Sequence, residues 1–190
     1  MAEPARKLVS VVEFLRFEGE ADRRYQLFGG EIVMMAPPSP THGALASRIS
    51  RQLGNRLKRP CEPLREAGIV LPWSDTNFYV ADVAVTCSPI AGQSWCPDPV
   101  LIVEVLSAST AAEDRGVKLP AYRRLASVQD ILLVASDRAA IEHYVRRGDR
   151  WELVDAGADD VIRLTGLGIE LPVGELYADL GLPAEAPLAS

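Results

Sequence analysis

The chain has 190 residues, 48% of them apolar, which is enough to bury one substantial core, and its length predicts a single domain over residues 1–190. A net charge of -6 excludes a protein that coats nucleic acid through bulk charge, because Lys and Arg supply most phosphate binding. No apolar run approaches the roughly 20 residues of a membrane span, and Met1 to Arg16 lack the order of a secretory leader, so a cytoplasmic protein with no membrane partner is expected.

Ser10 and Glu13 bracket Val11 and Val12 as a capping box, predicting a short amphipathic helix that ends near Gly19. Tyr25 to Phe28 and Glu31 to Met35 flank Gly29-Gly30, the signature of a β-hairpin. Pro37, Pro38 and Pro40 break the chain before Leu45, Ile49, Leu53 and Leu57, whose four-residue spacing gives a helix with one buried face. Three strands follow at Leu64 to Leu71, Phe78 to Thr86 and Val100 to Leu106, the last apolar enough to be covered on both faces. After a loop, Pro120 requires that the helix around Val117 to Leu125 begin close to Lys118, since proline fits only the first turn. Ile131 to Ala135 is another buried strand. Ile141 to Val145 and Trp151 to Val154 form a second hairpin around Arg147-Gly148-Asp149, before a short strand near Ile169 and a helix over Leu176 to Leu180. This order lacks the regular alternation of a doubly wound fold, so the class is α/β (α+β) with a mixed central sheet flanked by helices. Cys61, Cys87 and Cys96 are odd in number and lack ligand spacing, and are expected to be reduced packing residues.

Two carboxylates stand in the middle of apolar strands, in Val80-Ala81-Asp82-Val83-Ala84-Val85 and Leu101-Ile102-Val103-Glu104-Val105-Leu106. A charge left in a core costs several kcal/mol, so each acid needs a cation, a hydrogen-bond network or a shifted pKa. A shared Mg²⁺ or Mn²⁺ would suit Asp82, Glu104 and the carbonyl of Val105, since hard ions take oxygen ligands and Mg²⁺ keeps several waters beside one or two carboxylates. Lys118, with Asp114 four residues before it and Tyr122 four after, is the ammonium that would stabilise charge developing on a phosphate. From charge and spacing alone, a structural ion pair of Lys118 with Glu104 or Asp82 is an equal alternative.

Tyr25-Gln26-Leu27-Phe28-Gly29-Gly30-Glu31, Pro37-Pro38-Ser39-Pro40-Thr41-His42, Ala81-Asp82-Val83, Val103 to Thr110, and Asp114-Arg115-Gly116-Val117-Lys118 with Tyr122 occur in that order. In this order and spacing the chain, over about Val9 to Val154, resembles the Uma2 family within the restriction-endonuclease-like PD-(D/E)XK nucleases. The resemblance implies a restriction-endonuclease-like fold and a divalent-metal-dependent endonuclease acting on DNA, with Asp82, Glu104 and Lys118 as its catalytic set and the lysine on the helix after the strand. It also implies that Glu31 orients a metal water or binds the ion, that His42 serves as general base or phosphate contact, and that two copies pair as a homodimer, whereas the residues by themselves allow equally an exposed strand-start acid at Glu31 and favour a capping or surface histidine at His42. Gln26 departs from the pattern where an acid is usual, Gly29 where Asp or Asn is common, and Ala81 where proline precedes the aspartate. The Gln26 change and the acidic charge leave an alternative open, a catalytically inactive nuclease fold acting as a binding or assembly module.

Arg48, Arg51, Arg115, Arg123 and Arg124 are available to grip flanking phosphates, or are simply solvated. Ser107, Ser109 and Thr110 have no nucleophile elbow around them and are expected to shape the loop beside the site. His143 reads as structural, and Trp73 and Trp151 as core or hairpin anchors.

Overall fold

The fold was analysed in a computed structural model that describes residues 8–182. Its elements, in chain order, are α1 (Val11–Phe14), β1 (Tyr25–Phe28), β2 (Glu31–Met34), α2 (Pro40–Arg56), β3 (Glu62–Val70), β4 (Phe78–Thr86) and β5 (Pro99–Leu106). Then come α3 (Ala111–Glu113), a π-helical turn (Asp114–Lys118) and α4 (Leu119–Tyr122), followed by β6 (Asp130–Ala135), β7 (Ala140–Arg147) and β8 (Arg150–Gly157). A second small sheet of β9 (Val161–Leu164) and β10 (Ile169–Pro172) precedes α5 (Val173–Tyr177).

The main sheet has eight strands in the order β2-β1-β4-β5-β6-β7-β8, with β3 also paired to β4. It is mixed as expected: β5 and β6 run parallel, and the other neighbours are antiparallel. Alternation along β5 explains why one strand serves two cores. Leu101, Val103 and Val105 pack with Leu45, Ile49 and Leu53 of α2, with the small sheet and with α5. Ile102 and Leu106 pack on the other face with Leu119, Tyr122 and Leu125. A third, smaller cluster of Phe14, Leu27 and Phe78 ties α1 and the first hairpin to the start of β4.

Local chemistry sets most element ends. Both bonds of the Ser10–Glu13 capping box form, yet α1 is one turn that stops at Leu15 instead of reaching Gly19. Phe17 leaves the helix to lay its ring edge-on against Tyr25, with centroids 5.2 Å apart. Gly29 and Gly30 take φ of 53° and 84°, the left-handed pair that a two-residue hairpin turn requires. Pro40 opens α2 at a position where its missing N–H is no loss, and the Ser39 hydroxyl accepts from the His42 N–H at 3.2 Å.

Three expectations are corrected. The helix carrying Lys118 begins at Ala111, not near Lys118, because a π turn at Asp114–Lys118 intervenes. A wider turn relieves the clash that the Pro120 ring would otherwise make with the carbonyl four residues back. Cys61 and Cys87 are joined as a disulfide rather than reduced. Glu62 pairs with Thr86, so the two cysteines are the next residues outward on adjacent strands, a meeting that their separation in sequence conceals. Cys96 remains free and buried, its thiol pushed up to about 12 by burial. Trp73 is a surface platform rather than core, with Arg124 4.2 Å from its ring centre, whereas Trp151 is the expected hairpin anchor, half-buried against the core with Arg146 4.5 Å from its ring centre.

Candidate active site

The site arises from the way β4 shares its edges. Phe78 pairs with both Val70 and Leu27, and Val83 with both Arg65 and Val103. Hence β3 runs along one edge of β4, while β1 and β5 take opposite ends of the other. Between them, at residues 79–82, β4 has no ladder partner on that edge among the described residues. The backbone N–H of Val105 turns to the side chain of Asp82 instead, donating to Oδ2 at 2.7 Å.

Asp82 also marks a slip in the alternation of β4. Tyr79, Ala81 and Ala84 all pack on the α4 side, whereas Val83 and Val85 pack on the α2 side, so the phase changes between Ala81 and Ala84. The partner strand bends at the same level. Glu66, between the pairs Arg65–Val83 and Ala67–Ala81, has a left-handed φ of 52°, which a residue with a Cβ adopts at a penalty. The result is a half-buried carboxylate turned toward α2, where His42 Nε2 lies 3.1 Å from Asp82 Oδ2.

Glu104 follows the regular alternation of β5 and points to the α4 side. Only 2% exposed, it accepts from the Tyr122 hydroxyl at 2.7 Å and from Lys118 Nζ at 3.3 Å through Oε1. Lys118, 4% exposed, is also 3.1 Å from Asp114 Oδ1 and donates to the carbonyl of Val80 at 3.3 Å. Burial pushes the Glu104 carboxyl up to about 8; Lys118 opposes that rise, while the charges of Asp82 and Asp114 add to it. Burial by itself would lower the Lys118 ammonium, but Glu104 and Asp114 outweigh it and hold the pKa above the ordinary lysine value. The lysine therefore stays protonated, and the Glu104 carboxyl also keeps its proton at neutral pH when no cation is bound.

These groups line one cavity of about 460 Å³, which includes Asp82, Glu104, Val105, Lys118 and His42. Ser107, Ser109 and Thr110 line it as well, with the Ser107 hydroxyl 3.0 Å from each of the other two, as expected of a loop beside the site.

Other expected residues lie elsewhere. Glu31 is exposed and does not line the cavity. It pairs with Phe28 at the turn, whereas the hairpin enters the cavity at the opposite end through Gln26 and Val33, two residues further along. Arg115 is bound to Glu142, Arg48 donates to the carbonyls of Leu176 and Ala178, and Arg123 and Arg124 lie over Trp151 and Trp73. None of these four lines the cavity. His143 pairs with Asp130 at 2.7 Å inside the core, also away from the cavity.

The structure adds Gln26 and Glu113, whose side chains meet at 3.2 Å on the cavity wall, with Gln26 6% exposed. Gln26 gives the same signal as the two acids, a polar side chain inside the apolar run Tyr25-Gln26-Leu27-Phe28. An acid at this position would face the Glu113 carboxylate, so the amide suits its neighbour. Among the described residues, no three His, Cys, Asp or Glu side chains gather as a metal cluster. No helix there is long and apolar enough to cross a membrane.

Comparison with known proteins agrees with this fold. The Synechocystis protein slr1290 is 31% identical over 176 residues, covering 90% of this chain and 93% of its own length. A second Synechocystis protein, sll1609, is 29% identical over 157 residues, covering 78% and 88%. The crystal structure of an Anabaena variabilis protein, described as a "putative nuclease belonging to DUF820", superimposes with a TM-score of 0.70 at 17% identity, over 89% of this chain and 97% of that one. The shared architecture is the restriction-endonuclease-like fold. Residues 11–174, most of the chain, match the family Uma2, described as "Putative restriction endonuclease". The chain belongs to the Uma2 family.

Proposed function

We propose that the chain is a divalent-metal-dependent endonuclease that hydrolyses phosphodiester bonds of DNA. The observation that carries this is the convergence of Asp82, Glu104 and Lys118 on one cavity where β4 and β5 part. The donor set fits Mg²⁺ or Mn²⁺. Protein donors engage Oδ2 of Asp82 and Oε1 of Glu104, leaving Oδ1, Oε2 and the Val105 carbonyl as hard oxygen donors, and Mg²⁺ fills its other positions with water. A Glu104 carboxyl pushed up to about 8 is an acid short of positive charge. When bound, such an ion lowers the pKa of a water and polarises a phosphate oxygen.

The protein's own groups divide the remaining work. Lys118, held protonated between Glu104 and Asp114, sets a fixed positive charge beside the phosphate, where negative charge develops during in-line attack. His42 directs Nε2 to Asp82 Oδ2 at 3.1 Å and positions that carboxylate, while its Nδ1 is closed off from solvent. Tyr122 holds the Glu104 carboxylate in place and is a positioning residue.

The test is cleavage of supercoiled and single-stranded DNA with Mg²⁺ or Mn²⁺ by the wild type, Asp82→Ala and Lys118→Ala. Loss of cleavage in both variants supports the nuclease. A second reading, a catalytically inactive fold kept for binding or assembly, is favoured by the near-complete burial of Lys118 between two acids. No cleavage together with no Mg²⁺ binding by calorimetry would establish that reading instead.

A further inference from the structure

The cavity has one wall that the proposed hydrolysis does not use. The unbroken run Val33 to Pro38, from β2 into the turn before α2, lines it beside the acids. Met34 is 53% exposed and Val33 37%, on a strand that forms the outer edge of the sheet. Apolar side chains exposed together at the mouth of a polar site mark where a ligand lies.

The cations say what kind of ligand it is. Three cationic side chains line the cavity, Arg23, Arg24 and Lys118, and each is held by an acid. Arg23 lies 3.5 Å from Glu20, Arg24 lies 2.5 Å from Glu66, and Lys118 is between Glu104 and Asp114. A duplex is positioned by many Lys and Arg contacts to its phosphates, and it hides the faces of its bases in the stack. This surface offers few free cations and an apolar wall, which is the reverse of that requirement. A volume of about 460 Å³ accommodates one nucleotide rather than a length of double helix.

We propose, on the basis of the nuclease reading above, that the substrate is single-stranded DNA and that the run Val33 to Pro38 is its base-binding wall. One unstacked base lies against Met34 at the sheet edge while its phosphodiester reaches Asp82 and Glu104. A polarisable thioether meets the π-face of any base, so the contact tolerates sequence. With few phosphates gripped, affinity depends weakly on salt.

The experiment is fluorescence anisotropy of a labelled 12-nucleotide single strand and of the same sequence as a duplex, with Ca²⁺ replacing Mg²⁺ to hold back hydrolysis. The single strand binds at least about tenfold more tightly, Met34→Asp weakens it by about tenfold, and Met34→Phe, which keeps a stacking surface, retains it. The slope of log K against log salt is about -1, as expected when one or two phosphates are neutralised. Met34 is exposed, so these variants test contact rather than folding. Equal or tighter duplex binding, or a Met34→Asp protein that binds as the wild type does, overturns the proposal. If duplex DNA is nevertheless cleaved in an Asp82-dependent way, the nuclease stands and only the single-strand assignment falls. If neither DNA is bound or cleaved, both fall.

Discussion

Glu104, a donor in the proposed metal site, also carries a pH-dependent share of the stability of the fold. Its carboxyl is pushed from an ordinary value of 4.5 up to about 8, first by burial and then by Asp82 and Asp114. The folded protein therefore keeps a proton that the unfolded chain releases above about pH 4.5. The stability contributed by this group is complete below that pH and is lost as pH rises toward about 8. Glu104→Gln removes the titrating group while leaving an amide oxygen for Tyr122. In EDTA, its urea midpoint should stay level between pH 5 and pH 8 while that of the wild type falls, and at pH 8 the variant should be the more stable protein; parallel profiles would contradict this. Tyr122→Phe acts in the opposite direction. It removes the 2.7 Å donor from a carboxylate that is only 2% exposed, and the variant should lose about 1–3 kcal/mol in chemical denaturation.

Elements deliver these residues to the cavity, and their ends matter more than their interiors. α2 brings His42 to Asp82 at its first turn, which is fixed by the Ser39 hydroxyl. Ser39→Ala should cost about 1 kcal/mol in thermal or urea unfolding and should also lower the cleavage rate, because the frayed turn is the one holding His42. A rate equal to that of the wild type would show that His42 is placed by other contacts. How far the sequence discloses such features depends on whether their cause is local. Gly29-Gly30, the Ser10–Glu13 box and the spacing of Leu45, Ile49 and Leu53 act within a few residues, and the hairpin, the cap and α2 appear where they predict. Asp82 and Glu104 are visible because carboxylates interrupt apolar strands, and Lys118 because Asp114 and Tyr122 stand four residues to either side of it, with the family pattern adding to that reading. The Cys61–Cys87 bond stayed hidden because its partners are distant in the chain, while the π turn before Pro120, the turn-end position of Glu31 and the strand β9, although local, are features that apolar periodicity does not report. Asp114 and Tyr122 stand four residues to either side of Lys118, and the winding of the helix turns that spacing into contact with Lys118 and Glu104.

The molecule as a whole divides its charge and its apolar surface between separate tasks. Most of the arginines expected to be available for phosphates stack on Trp73 and Trp151, donate to carbonyls or pair with acids, so they hold the fold together rather than a ligand. Hydrolysis of a single strand needs one active centre, and the homodimer expected from the resemblance is not required for it. Cleavage at substrate saturation should then rise in direct proportion to protein concentration through the range where a dimer would dissociate; a steeper rise would indicate that paired copies are the working form. The first hairpin shares one ladder pair with β4, Leu27 with Phe78, and is held otherwise by side-chain and turn contacts such as Phe28 on Tyr79, Arg24 on Glu66 and the Gly30 N–H on the Thr76 carbonyl, whereas β3 and β4 are paired along eight residue pairs. The wall carrying Met34 thus joins the main sheet through the fewest ladder pairs of any of its strands. Amide hydrogens of β1 and β2 should exchange with deuterium through a sub-global opening that leaves β4 to β7 closed, and a strand of DNA lying against Met34 should slow that exchange selectively, which would make the hairpin a hinged jaw with its own free energy of opening.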